Sequence, residues 1–173
     1  TKKLLPPGAH DITHVNRLLK LAKEIAKGEA KKPDFDLLVP MIVIHDLVRI
    51  HQDNTGKSLK LTINRANDLL ESCGYSIEER EEILAGVESH SLVSMGGEIK
   101  NMVREPSSIE EKILFDADKI DALGRIGIAR WFMSIGDHNI KINEASRSYL
   151  NIVSNFIRSK GGLYTKTGNE IAR

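Results

Sequence analysis

The tetrapeptide Ser-Ile-Glu-Glu occurs twice in this chain, at 76–79 and at 108–111. Each copy has the form of a helix start. The serine oxygen accepts the N–H three residues on, and the glutamate there reaches back to the serine N–H. The first copy follows Gly74, a stop for the helix before it, and the second follows Pro106. A chain punctuated in this way is built of helices joined by loops.

The rest of the sequence repeats the pattern. Asp11 can cap a helix over 12–27, whose apolar set Leu18, Leu19, Ala22, Ile25 and Ala26 has helical spacing, with Gly28 as its stop. Asp34 can cap the next. The apolar density from Leu37 to Ile50 exceeds a typical strand, so this stretch reads as a buried helix in spite of the β-branched run Ile42-Val43-Ile44. Further helices are expected over 61–73, 77–90, 109–134 and 143–159, the last stopped by Gly161-Gly162. No repeat or dividing linker interrupts them. The expectation is a single all-α domain over 1–173, with its core motifs in 10–130 and a C-terminal helical segment in 143–173.

The 173 residues suffice for a real core, and the formal net charge of +1 gives no argument for a dedicated nucleic-acid surface. One cysteine, Cys73, rules out an intrachain disulfide, which favours a reducing cytoplasm. No apolar run is long enough to span a membrane, so no membrane partner is expected; a homo-oligomer stays open.

Within the apolar stretch MIVIHDLVRI, at 41–50, sit His45 and Asp46, followed by Arg49. Burying a carboxylate without partners is costly, and a bound cation or a structural hydrogen-bond pair would each offset that cost. Three other places carry comparable chemistry. His14 and Arg17 share a helix face at i, i+3. Glu88 and His90 lie at the end of a helix, and Asp116, Asp118, Lys119 and Asp121 follow in the long one. Imidazole nitrogen with carboxylate oxygen suits Mn²⁺, Fe²⁺, Co²⁺, Ni²⁺, Zn²⁺ or Mg²⁺. Two His and two Asp would leave octahedral positions open for water and a phosphate oxygen.

The order of these motifs carries a resemblance. A His, a His-Asp some thirty residues later and a buried Ala-Asp-Lys-Ile farther on resemble the HD-domain superfamily of metal-dependent phosphohydrolases. The strings HDITHVNRLLKLA, VIHDLVR, ESHS, FDADKIDALGRIGIAR and the closing TKTGNEIAR look like its subgroup of small bacterial hydrolases, which includes nucleotide pyrophosphatases. The resemblance implies one divalent metal ion, Mn²⁺ first among the candidates, held by His14, His45, Asp46 and one Asp of the DADKID string. Asp116 and Asp118 point about 160° apart on a helix, whereas Asp118 and Asp121 lie about 60° apart. The family pattern of Asp, basic, aliphatic fits Asp118-Lys119-Ile120, so Asp118 is the chosen ligand and Asp116 the alternative. Asp121, with Asp116 and Glu88, is expected to stand behind the ligands and orient them. Arg17, Arg49, Lys119 and His90 are the candidates for the substrate phosphate or its leaving group, and Arg125 and Arg130 are expected to face solvent or partner helices.

The implied activity is cleavage of a phosphate ester or anhydride of a small phosphorylated metabolite, a nucleotide foremost, by metal-activated water. Three alternatives stay open at this point: a di-iron oxygenase of HD type, a non-catalytic nucleotide-binding HD module, and a helical scaffold with a structural His-Asp. Between 47 and 117 the histidines are His51 and His90, few for a second ion. Specificity is expected to reside in loops 53–60, 92–107 and 135–142.

Overall fold

The computed structural model describes residues 12–47, 57–90, 104–136 and 162–173, together with the isolated positions 141, 143 and 147. Asp11, Arg49, His51 and His138 lie outside the described residues, as does nearly all of the helix expected over 143–159. Among the described residues there are seven helices and no strand. No described helix is long and apolar enough to cross a membrane.

The chain divides into two units, Ala30–Phe115 and Thr1–Glu29 with Asp116–Arg173. The first contains α2 (Phe35–Ile44), α3 (Lys57–Ser72), α4 (Ile77–Ser89) and the start of α5 (Ile109–Asp121). Asp34 caps α2 as expected, its side chain accepting the Asp36 N–H at 2.8 Å. α4 packs against both α2 and α3. Leu38, Met41, Ile42, Ala66, Leu70, Ile83, Val87, Ile113, Leu114 and Phe115 are buried in this unit. Each fully buried Leu, Ile or Phe contributes about 1.5–3 kcal/mol.

The two Ser-Ile-Glu-Glu boxes behave differently. At Ser76 both reciprocal bonds form. At Ser108 the Glu111 N–H donates to Ser108 Oγ at 3.2 Å, while the Glu111 carboxylate, within the influence of the Ser108 N–H, also accepts the N–H of Ser107 at 3.0 Å. The carboxylate is drawn there by Arg104, whose Nη2 lies 2.8 Å away, and by the Ser89 hydroxyl at 3.3 Å. Burial pushes the Glu111 carboxyl up, but Arg104 and the Ser107 and Ser108 N–H groups outweigh it and hold it below its ordinary value.

The second unit contains α1 (Ile12–Gly28), the end of α5, α6 (Gly124–Gly136) and a short α7 (Lys166–Ile171) packed on α1. The buried stripe of α1 is His14, Val15, Leu18, Ala22, Ile25 and Ala26, so His14 continues an otherwise apolar face.

Two expected helices end differently. The single helix over 109–134 is two helices, α5 and α6, broken after Asp121. Gly124 takes a φ of +68°, a left-handed conformation that glycine adopts without penalty. The Ala122 N–H is shared between the carbonyls of Asp118 and Lys119, and the Leu123 N–H bonds Ile120, tightening the last turn. A lone glycine inside a helical pattern costs only about 1 kcal/mol, so the sequence alone does not demand this break. The apolar run from Leu37 to Ile50 is likewise not one helix, because α2 stops at Ile44. His45 is its C-cap, and the His45 ring donates from Nδ1 to the Ile42 carbonyl at 2.8 Å. That is the carbonyl a continuing helix would offer to the Asp46 N–H.

Candidate metal centre

In the Ala30–Phe115 unit the helix ends bring three of the expected residues together. His90 caps α4 as His45 caps α2, and its Nδ1 bonds the carbonyl three residues back, that of Val87. A carbonyl only accepts, so in both rings Nδ1 carries the proton. In the neutral ring Nε2 is then the nitrogen with the lone pair. Both Nε2 atoms are turned to Asp46: His45 Nε2 lies 3.3 Å from Oδ2, and His90 Nε2 lies 3.8 Å from Oδ1. The imidazoles meet edge to face with centroids 5.0 Å apart. One potential ligand atom from each of His45, Asp46 and His90 falls within 4.8 Å of the others. Both histidines are buried.

The unit containing α1 repeats this chemistry with a carboxylate as the acceptor. His14 is fully buried, and its Nδ1 donates to Asp121 Oδ2 at 2.8 Å. Its Nε2 lies 3.6 Å from Asp118 Oδ1. Arg17, one turn on, grips the same Asp121 with Nε at 2.7 Å and Nη2 at 3.1 Å, and its Nη1 donates to Thr13 Oγ1 at 3.1 Å. Arg130 also bonds Asp121 Oδ2. Burial raises the Asp121 carboxyl, but hydrogen bonds from His14 and Arg17 and the charge of Arg130 outweigh it, so its pKa falls from 3.8 to about 2. A carboxylate that stays ionised holds the His14 tautomer and aim fixed.

Lys119 is buried beside Asp118, its Nζ donating to Oδ2 at 2.9 Å. Asp116 is fully buried on the other side of α5. Its Oδ1 accepts the Tyr164 N–H at 2.8 Å, and its Oδ2 accepts the Thr165 N–H at 2.7 Å and hydroxyl at 2.6 Å. Burial pushes its pKa up to about 6 against the lowering effect of those bonds. Glu88 is half-buried next to the cluster of His45, Asp46 and His90 in sequence, and makes no side-chain hydrogen bond among the described residues.

Arg130 on α6 faces a partner helix, as expected, but as an ion-pair partner of Asp121 on α5. On one straight helix a separation of nine positions would put them about 13 Å apart along the axis. The break at Gly124 brings them into contact, and no local sequence signal announces it. The contacts of Tyr164 and Thr165 with Asp116 likewise have no local sequence signal, although Thr165 opens the string TKTGNEIAR.

The donor set fits a divalent cation. Each of the three imidazoles is held in the tautomer that presents Nε2, and each Nε2 is turned to a carboxylate oxygen. Two lone-pair atoms facing each other at 3.3–3.8 Å repel unless a proton or a cation lies between them.

Comparisons with known proteins give the family. The family model described as the HD domain matches residues 11–123. The chain is 32% identical over 165 residues to YpgQ of Bacillus subtilis strain 168, spanning 94% of this chain and 76% of YpgQ. Among solved structures, a predicted HD superfamily hydrolase from an uncultured Thermotogales bacterium superposes with a TM-score of 0.59 and 28% identity, over 95% of this chain and 72% of that one. Bacillus subtilis YpgQ in complex with ADP superposes with a TM-score of 0.61 over 96% of this chain and 81% of that one, with 22% identity on superposition. HD domains bind divalent metals. With its His, its His-Asp and its Asp-Lys-Ile all inside the matched span or at its helix ends, the chain belongs to the HD domain family.

Proposed function

We propose that this protein is a metal-dependent phosphohydrolase that cleaves a phosphate ester or anhydride of a small metabolite, with a nucleotide as the substrate class. His14, His45, Asp46 and Asp118 are the ligands of one divalent ion in this reading, and Mn²⁺ is the ion to test first. The observation that carries it is the fixed tautomer of the histidines. Nδ1 of His14 is committed to Asp121 and Nδ1 of His45 to the Ile42 carbonyl, which leaves Nε2 for coordination in both. Asp118 is preferred to Asp116 because Tyr164 and Thr165 already occupy both Asp116 oxygens.

When bound, such an ion polarises a phosphoryl oxygen and lowers the pKa of a coordinated water. The chain's own residues do the remainder. Asp121 keeps the His14 proton on Nδ1, and Arg17 and Arg130 keep Asp121 ionised. Two guanidiniums around one carboxylate leave a net positive charge on that side, which suits an anionic substrate. Lys119 steadies Asp118 through its Oδ2. His90 has its Nδ1 proton spent on Val87, so it serves a phosphate oxygen or leaving group only after gaining a proton on Nε2. Arg49 keeps its role as a phosphate candidate from the sequence. The nucleotide class is supported by the relative YpgQ, whose structure is a complex with ADP. The exposed lone thiol of Cys73 supports a cytoplasmic location.

The test pairs metal content with phosphate release. Protein loaded with Mn²⁺ is expected to bind one equivalent and to hydrolyse members of a panel of nucleoside mono-, di- and triphosphates and sugar phosphates. His45→Ala is expected to lose both properties. Two redox-active irons per chain, or metal binding unchanged in His45→Ala, would overturn the reading.

A further inference from the structure

The closing segment TKTGNEIAR is tied to two helices at once, and neither tie belongs to the metal chemistry. At one end, Asp116 of α5 accepts three hydrogen bonds from Tyr164 and Thr165. Thr165 Oγ1 meanwhile accepts the Gly168 N–H at 2.9 Å and so caps α7. At the other end, the carboxylate of Glu29, just past α1, accepts both the N–H and the hydroxyl of Thr167, at 2.8 and 2.7 Å. Asn169 closes the segment on itself by donating to the carbonyls of Leu163 and Thr165, at 2.9 and 2.7 Å.

The approach is close enough to exclude side chains. A Cβ on Gly168 would sit 2.6 Å from Asp116 Oδ2, and one on Gly28 would sit 2.3 Å from Thr167 Oγ1. Leu163 and Thr165 are buried. This is a fitted joint rather than a loosely attached tail.

Its position gives it leverage. α1 carries His14 and α5 carries Asp118 and Asp121. Near its N-terminal end α1 is linked to α5 through His14 and Arg17 to Asp121. The segment supplies a second cross-link, from the C-terminal end of α1 to Asp116. Links clustered at one end leave two helices able to rotate about that point, whereas a second, separated link fixes their register. A helical rotation at Asp116 would turn Asp118, two residues on, away from His14 Nε2.

We propose that residues 163–168 form a latch that sets the register of α5 against α1, so that Thr165 is a positioning residue for the metal ligands Asp118 and His14. The proposal rests on the ligand assignment above. Groups that support metal ligands from behind typically contribute about 10–100-fold to affinity.

The experiment is Mn²⁺ titration of the full chain by electron paramagnetic resonance, alongside thermal unfolding without metal. Thr165→Val, which removes the hydroxyl and keeps the shape, is expected to weaken Mn²⁺ binding about tenfold and to alter the spectrum of the bound ion. Thr165→Ser is expected to restore both. Thr167→Val, at the α1 end of the latch, is expected to weaken binding in the same direction and serves if Thr165→Val does not fold. Mn²⁺ affinity within twofold of wild type in the folded valine variants, with only the unfolding temperature lowered, would overturn the latch. Asp118→Asn separates the two readings. If it leaves Mn²⁺ affinity unchanged, the ligand assignment has failed; if it abolishes binding while the valine variants bind normally, the latch alone has failed.

Discussion

Asp121→Asn in metal-free protein tests the network on which the site is built. Asp121 is 5% exposed and is bonded by His14, Arg17 and Arg130. Its pKa falls from 3.8 to about 2 on folding, which corresponds to about 2 kcal/mol of stability at neutral pH. Breaking a buried ion pair from one side costs about 3–5 kcal/mol. That range is an upper bound here, because the Arg17 side chain is 27% exposed and asparagine still offers His14 an acceptor oxygen. The expected loss is therefore about 2–3 kcal/mol, a shift in the urea midpoint of about 1 M.

The pH dependence follows from the direction of the shift. The folded pKa is depressed, so the contribution is fully present above the unfolded value of 3.8 and is lost as pH falls through about 2. Urea unfolding in the presence of a chelator should give the same gap between wild type and variant at pH 7 and pH 5, and a smaller one at pH 3. A gap under about 0.5 kcal/mol at pH 7 is what a surface substitution gives. It would refute the claim that Asp121 is the hub of this unit.

Three further outcomes are expected. Asp116 has a folded pKa raised from 3.8 to about 6, so its contribution is most favourable below pH 3.8 and is lost as pH rises through 6; the stability of wild type relative to Asp116→Asn should fall between pH 4 and pH 7, by up to about 3 kcal/mol in unfolding measurements. Gly168→Ala forces a methyl to within 2.6 Å of the buried Asp116 carboxylate and should destabilise the protein by about 1–3 kcal/mol in the same assay, whereas a neutral result would show the joint to be loose. On the proposed ligand assignment, chelation of bound metal should lower amide protection at Ile44–Leu47 ahead of α3, as followed by hydrogen exchange, since a metal at Asp46 would offset the cost of holding its carboxylate at the end of α2.

Local order was legible in the sequence because it depends on neighbours a few residues away. Capping at Asp34 and Ser76, the stripe of α1 and the shared face of Asp118 and Asp121 all follow from helical periodicity and from the short reach of an oxygen to an N–H. The motif order was enough to indicate the family. What local periodicity leaves open is the partner that a buried polar group finds across the fold. Arg17 looked like a grip for phosphate, and in the tertiary structure its fork closes on Asp121, 104 residues away. Asp116 looked like an alternative ligand, yet a backbone segment 48 and 49 residues downstream takes up its oxygens. The end of α2 at His45 and the break at Gly124 were hidden for a related reason. An apolar run reads as helix wherever it is long enough, whereas a side chain that captures a carbonyl, or one glycine at positive φ, ends the helix at little local cost. The sequence determined which residues are candidates for the chemistry, and it placed His14 on its first helix and Asp118 and Asp121 on one shared face. The tertiary structure alone decided which nitrogen each histidine presents, because a tautomer is set by the acceptor opposite it.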